Sequence, residues 1–457
     1  MLLSNLYEIR YLLLLEILLL AVFAIFEVLP FLIFLGFVLF LPFLFLLYEK
    51  PVVLIHLLMI SILAGAIGTI KISGKTPNIL FVDIFFFILL SMLFIKTLLS
   101  LNKSIEIPIL ILIWIPFLVW SVLGVISAVE KFRVLVYWKN YFAGFVVFSY
   151  AWFVLKNKIH VKQILYAFII WGVVLSLIEL KIVFELGGIG MGIVGLFLKK
   201  NLLATSWGRS NYLAAFYVFI IPLSIALLFY FKSLKNRLFQ VFALILMFTG
   251  IIITLSRGGI ISLVFALIIL FSKLLKTKTF IPLLIIFVIV SLVVFLNPLT
   301  QVLIERSAAF ERSASVFTRI NFYEDVWKTF LENPILGVGF GNLGFYSQFE
   351  IASAFSTSAH NIVLGMLGET GLVGAISFFA IFWLLIKKII AEYRDENDNS
   401  LKLLRWAFIA SLSGVLLHSF MEPNFEGIQF SIMFWLLFSV YFKLHLLKDE
   451  PAVKKEI

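Results

Sequence analysis

Along this chain polar residues are the interruption rather than the rule. Apolar runs suited to crossing the roughly 30 Å hydrocarbon core of a bilayer lie near 8–26, 29–48, 52–70, 79–99, 108–128, 137–155, 161–183, 211–231, 238–255, 258–273, 280–297, 361–386, 404–420 and 427–446. Some of these runs are short, so the pattern predicts an all-α polytopic integral membrane protein of about 12–14 transmembrane helices. The opening MLLSNLYEIRYLLLLEILLL passes from mixed polarity into a long apolar segment without a small-residue cleavage site. It reads as a first membrane helix that stays in the chain.

Two stretches break the pattern, 184–210 and the longer 298–360. They divide the chain into N-terminal membrane helices (1–183), central helices (184–297), a loop (298–360), C-terminal helices (361–446) and a tail (447–457). Inside the loop, TRINFYEDVWKTFLENP places Phe322, Val326 and Phe330 on one stripe and ends at Asn333-Pro334. This predicts an amphipathic surface helix, capped by Thr318 or Asn321, with Arg319 close to its N-terminus.

Composition sharpens this picture. With 63% hydrophobic and 13% charged residues among 457, no water-soluble surface can be assembled. There is no cysteine, which excludes disulfides and thiolate metal sites, and the five histidines leave little for an imidazole metal centre. The formal charge of +11 needs no nucleic acid partner. With both termini in the cytoplasm, the larger share of the 36 basic residues falls in short cytoplasmic segments such as Lys156–Lys162, Lys232–Arg237 and Lys387–Arg405, beside anionic membrane lipid. That orientation puts 184–210 and 298–360 on the outer face.

The candidate chemistry collects on that face. Arg257 stands in SRGG (256–259), Arg209 precedes Asn211 in GRSN, and Arg319 lies in the loop helix. Three guanidinium groups beside apolar walls suit a phosphate-rich head group whose tail stays in lipid, a lipid-linked diphosphate. The competing readings are an arginine snorkelling to the interface and a salt bridge from Arg319 to Glu311 or Glu324. His360, followed by Asn361, re-enters the membrane in SAHNIVLGMLGETGLVG, whose glycines permit a broken helix start. It is the candidate base for an incoming hydroxyl, with interfacial anchoring as the alternative. His418, with Glu422 close behind, is expected to line the same cavity, or else to pack at a helix end. Tyr323 and Trp327 are candidates to stack on sugar faces or to anchor at the interface.

Four stretches carry a resemblance: GRSNYLAAF (208–216), TLSRGGIISL (254–263), TRINFYEDVWKTFLENPILGVGFGNLG (318–344) and SAHNIVLGMLGETGLVG (358–374). In order and spacing the chain resembles the O-antigen ligase family of bacterial membrane glycan transferases. The resemblance implies a multi-pass protein of the bacterial inner membrane with its active site facing the periplasm. It implies transfer of a glycan from undecaprenyl diphosphate to lipid A-core, as a ligase does. A polymerase would instead use a second lipid-linked repeat unit as acceptor, and some relatives use protein. It assigns Arg257, Arg319 and His360 as the essential basic residues, the arginines reading the diphosphate and the histidine serving as base. Arg209 matches a family stretch, and Asn211, Asn361, Tyr323, Trp327, His418 and Glu422 are expected to contact substrate. The expected reaction inverts the anomeric centre and uses no metal or cofactor, because arginines take the place of a cation; a magnesium-dependent version would draw on Glu369, Glu422 or Glu426. A transporter of lipid-linked glycans is the reading from a different class. The N-terminal third departs from the family pattern.

Overall fold

The computed structural model describes residues 49–63, 69–70, 79–99, 108–187, 207, 210–274, 311–346 and 359–447. The apolar runs 8–26, 29–48 and 280–297, Arg209 and the outer parts of the 298–360 loop lie outside the described residues. The chain divides into two compact units, Met1–Leu57 and Leu58–Ile457. In the first, the described residues hold the start of helix α1, Pro51–Leu63.

Among its described residues the second unit is helical almost throughout, with a two-residue antiparallel ladder pairing Thr69–Ile70 with Ile79–Leu80. Its helices are α2 (Phe81–Leu99), α3 (Trp114–Leu123), α4 (Lys131–Val154), α5 (Lys158–Glu185), α6 (Ser210–Tyr230), α7 (Leu234–Ile253), α8 (Arg257–Leu274), α9 (Glu311–Glu332), α10 (Ile362–Asp395), α11 (Asn399–Ser419) and α12 (Ile428–Phe442). Among the described residues six helices are long and apolar enough to cross a membrane: α5, α6, α7, α8, α10 and α11. Shorter apolar stretches are Pro51–Ile62, Val82–Ile95, Ile109–Leu123 and Ile428–Phe442. The protein is therefore an all-α, multi-pass membrane protein.

Helix α12 is the axis. It reads IQFSIMFWLLFSVYF, apolar on every side, and every one of its residues is buried. Phe219 of α6 stacks against Phe434 and Phe438, with ring centroids 5.3 and 5.5 Å away. Against its other side lies α4, where Trp435 meets Phe148 at 6.0 Å and the Ser439 hydroxyl donates to the Phe148 carbonyl at 3.1 Å. Asn140 of α4 reaches the start of α12 while Trp152 packs on Phe442 at its end, so the two helices run parallel.

Helices α8 and α11 run antiparallel. A side chain at Gly414 would fall 2.8 Å from both Ala266 and Val218, so this glycine sets how closely α6, α8 and α11 approach. Further along the same seam Trp406 donates its indole N–H to the Ile269 carbonyl at 2.8 Å. The consequence for function is directional: α4, α6, α8, α10 and α12 begin, and α11 ends, at one end of the bundle. At the opposite end Arg405 is clasped by Glu392 at 2.7 Å and Glu396 at 3.2 Å.

Candidate functional site

The SRGG turn joins α7 to α8. Thr254 donates its hydroxyl to the Ile251 carbonyl and accepts the Ser256 N–H, which ends α7, and Leu255 takes a left-handed φ of 51° to reverse the chain. Ser256 then caps α8, its hydroxyl accepting the Gly259 N–H at 3.2 Å. Arg257 is consequently the first residue of a helix, where the backbone N–H groups already favour an anion and disfavour a cation. It is exposed, and no described carboxylate lies within ion-pairing distance of it. Gly258 brings the turn against α11: a side chain there would sit 3.3 Å from the Met421 sulfur and 3.6 Å from the His418 ring.

His360 lies at the start of α10. Asn361 is the helix cap, its Oδ1 accepting from Val363 N at 2.9 Å and Leu364 N at 3.2 Å, so the amide oxygen expected to contact substrate is committed to the backbone. His360 itself adopts a left-handed φ of 49°, a conformation that costs an L-residue about 1–2 kcal/mol and is held only where surroundings enforce it. Two contacts enforce it. Ala359, the preceding residue, is buried in a cluster with Phe322 and Val326 of α9 and Val338 and Leu343 beyond it. On its side-chain edge, Nδ1 of His360 lies 3.1 Å from Oε2 of Glu422. The imidazole keeps about a quarter of its surface open to solvent, at 25%, whereas the carboxylate keeps 5%. A buried carboxylate behind an accessible imidazole fixes the ring's orientation and stabilises the imidazolium formed when the ring accepts a proton.

The segment after α11 joins the two motifs. His418 Nδ1 and Asn424 Oδ1 are 2.9 Å apart, and Asn424 donates to the Ser419 hydroxyl at 3.0 Å. Glu422 N and Met421 N both bond the His418 carbonyl, and Asn140 donates to the Glu426 carbonyl at 2.7 Å. This bracket holds Met421 beneath Gly258 and Glu422 beside His360. His418 is completely buried at the end of α11, the helix-end packing that was one of its two readings, and braces the bracket from inside.

Helix α10 breaks at Gly371, which has φ 66° and ψ −173°. Loop residues supply the hydrogen bonds the break removes: Val338 N to Gly368 O at 3.0 Å, Gly339 N to Glu369 O at 2.9 Å, and Leu372 N to Pro334 O at 2.8 Å. The buried Glu369 carboxylate accepts the Gly341 N–H at 2.8 Å. Helix α9 is thereby locked to the half-helix that carries His360. Sequence spacing predicted that α9 begins beside Arg319; instead it runs from Glu311, so Arg319 sits mid-helix. The Arg319 side chain lies outside the described part. On the same helix Tyr323 is half-buried and Trp327 is exposed; Asn211 lies in the first turn of α6.

Arg133 and the polar face of α4 were not singled out from the sequence. Arg133 donates to the Gly341 carbonyl at 3.4 Å and stacks on Phe345 at 5.1 Å. With Tyr137, Asn140 and Tyr141 it follows helical spacing along α4, which also carries Lys131 and Lys139, a signal that was available in the sequence.

A multi-pass helical protein whose arginine turn and histidine meet at one bundle end is the class so defined. Residues 242–379, from within α7 to Phe379 of α10, match the family described as O-antigen ligase. That match covers less than a third of the chain and agrees with the resemblance carried by its motifs. The chain is also 24% identical over 131 residues to the teichuronic acid biosynthesis protein TuaE of Bacillus subtilis (strain 168), an alignment covering 28% of this chain. It spans about a quarter, 26%, of that relative's length.

Proposed function

We propose that this protein transfers a glycan from an undecaprenyl-diphosphate donor to an acceptor hydroxyl at the outer membrane face, without a metal ion. The observation that carries the reading is the convergence of Arg257-Gly258 and His360 on one bracket, residues 418–426, with Glu422 backing the histidine. The donor diphosphate lies at the N-terminus of α8 against Arg257, with Arg319 and Arg209 as further partners, and its polyprenyl tail stays in lipid. His360 removes the proton of the acceptor hydroxyl as its oxygen attacks the anomeric carbon. The bond from that carbon to the diphosphate oxygen breaks, and its electron pair leaves on undecaprenyl diphosphate, where the arginines hold the developing charge. One displacement inverts the anomeric configuration.

The acceptor is lipid A-core if the protein is a ligase. The likeness to a protein named for teichuronic acid biosynthesis supports the second reading, a polymerase that uses another lipid-linked unit. Transfer by purified protein from a synthetic undecaprenyl-diphosphate glycan, offered each acceptor in the presence of EDTA, separates them. A single addition to lipid A-core identifies a ligase and a ladder on undecaprenyl diphosphate a polymerase; product that requires magnesium, or that survives His360→Ala, sinks the mechanism.

A further inference from the structure

A groove of about 430 Å³ lies between α9 and the first turn of α10, lined by Tyr323, Glu324, Trp327, Lys328 and Leu364. We propose that it binds the acceptor glycan, an inference that rests on the glycan-transfer reading above. The volume falls in the range of small-ligand sites, roughly 300–1,000 Å³. Trp327 leaves 47% of its surface uncovered although its neighbour Phe330 is 5.3 Å away, so a large aromatic surface is supported from within and open without. Glu324 and Lys328 flank it, both exposed, and neither forms an ion pair with another described residue. An aromatic surface flanked by one hydroxyl acceptor and one donor matches a pyranose, which has an apolar C–H face and a polar rim. A lipid acyl chain would be poorly served by the two charges.

The position of His360 assigns the groove to the acceptor rather than the donor. Its backbone side is fastened to α9 through Ala359, and Leu364, one turn further, forms part of the groove wall. Its side chain meets Glu422, on the bracket that touches Gly258 beside Arg257. The histidine is thus tied both to the element that forms the groove wall and to the bracket beside the diphosphate locus. An inverting transfer brings the acceptor hydroxyl to the anomeric carbon from the side opposite the diphosphate, so a separate acceptor surface reached from the same histidine fits the reaction.

The test is calorimetric binding of lipid-free glycan to the full-length protein in nanodiscs, which does not depend on turnover. The probes are repeat-unit oligosaccharide and, separately, core oligosaccharide, each released from the producing cells by mild acid. Wild type is expected to bind one of them saturably. Trp327→Ala should bind it roughly tenfold more weakly, Trp327→Tyr close to wild type, and Trp327→Leu as weakly as alanine. No saturable binding of either probe, wild-type affinity in the alanine variant, or rescue by leucine, as a membrane anchor would show, overturns the groove. Transfer that persists in His360→Ala while the tryptophan variants lose binding overturns the mechanism and leaves the groove standing.

Discussion

The two ends of the bundle around α10 and α11 carry charged side chains and treat them oppositely. At the Arg405 end, the guanidinium is 4% exposed, bonded to Glu392 and Glu396, and covered by the Tyr441 ring at 5.1 Å. At the other end, Arg257 is exposed without a described carboxylate, and His360 holds a left-handed backbone with its imidazole open to solvent. A charge matched inside the protein contributes to folding and has nothing left for a ligand. Backbone strain at His360 and an exposed guanidinium at a helix start cost stability and make sense only if something outside the protein completes them.

The sharpest way to break that comparison is to mutate each end and measure stability and transfer separately. His360→Ala should lower transfer by about 10²–10⁴-fold, the range for a general base, with a fall in melting temperature much smaller than that of Arg405→Ala. Arg405→Ala should do the reverse. It strands two carboxylates, a loss of about 3–5 kcal/mol for a buried pair, visible as a large drop in melting temperature, while the surviving folded fraction keeps its turnover number. Arg257→Ala follows at about 10²–10³-fold in kcat, and Arg257→Lys should recover only part because a point charge cannot grip two phosphoryl oxygens together. A melting temperature that falls in Arg257→Ala as it does in Arg405→Ala would make the two ends alike and remove the argument.

Smaller is the expected effect of Glu422. Glu422→Gln should lower kcat by about ten- to hundredfold, the cost of removing a carboxylate behind a metal-bound histidine, with KM for both substrates unchanged. Glu422→Asp should restore part of it. Equal falls in kcat and melting temperature, without rescue by aspartate, would reduce Glu422 to a packing residue.

Most of the helical architecture could be read from the sequence, because an apolar run in lipid has to be a helix and its length is visible. The runs 161–183, 211–231 and 404–420 correspond to α5, α6 and α11, displaced by a few residues at their ends. Arg257 at a turn and the broken helix at Gly371 were also legible, since glycine placement and an arginine among apolar residues are local signals. The bracket was legible only in part. Glu422 was expected at the same cavity as His360, but that the two pair across 62 positions, and that His418 turns inward to Asn424, depend on which helix ends meet. Spacing within one helix carries no such information. The early start of α9 was missed because ERSASVF (311–317) lacks the apolar stripe that made the rest of the helix recognisable.

The finest test compares two helix caps. Ser256 caps α8 at the open end through the Gly259 N–H at 3.2 Å, and Asp398 caps α11 at the closed end through the Leu401 N–H at 2.9 Å. Either residue changed to alanine should cost about 0.5–2 kcal/mol, seen as a modest fall in melting temperature. If the open end is poised for a substrate, the two should part company in transfer. Asp398→Ala leaves the site untouched and should retain wild-type kcat and KM. Ser256→Ala loosens the turn that aims Arg257 and should raise the donor KM severalfold without changing the acceptor KM. Equal behaviour of the two variants in transfer would mean that Arg257 is not held by its helix start, and that its position owes more to Gly258 against His418 and Met421 than to the cap.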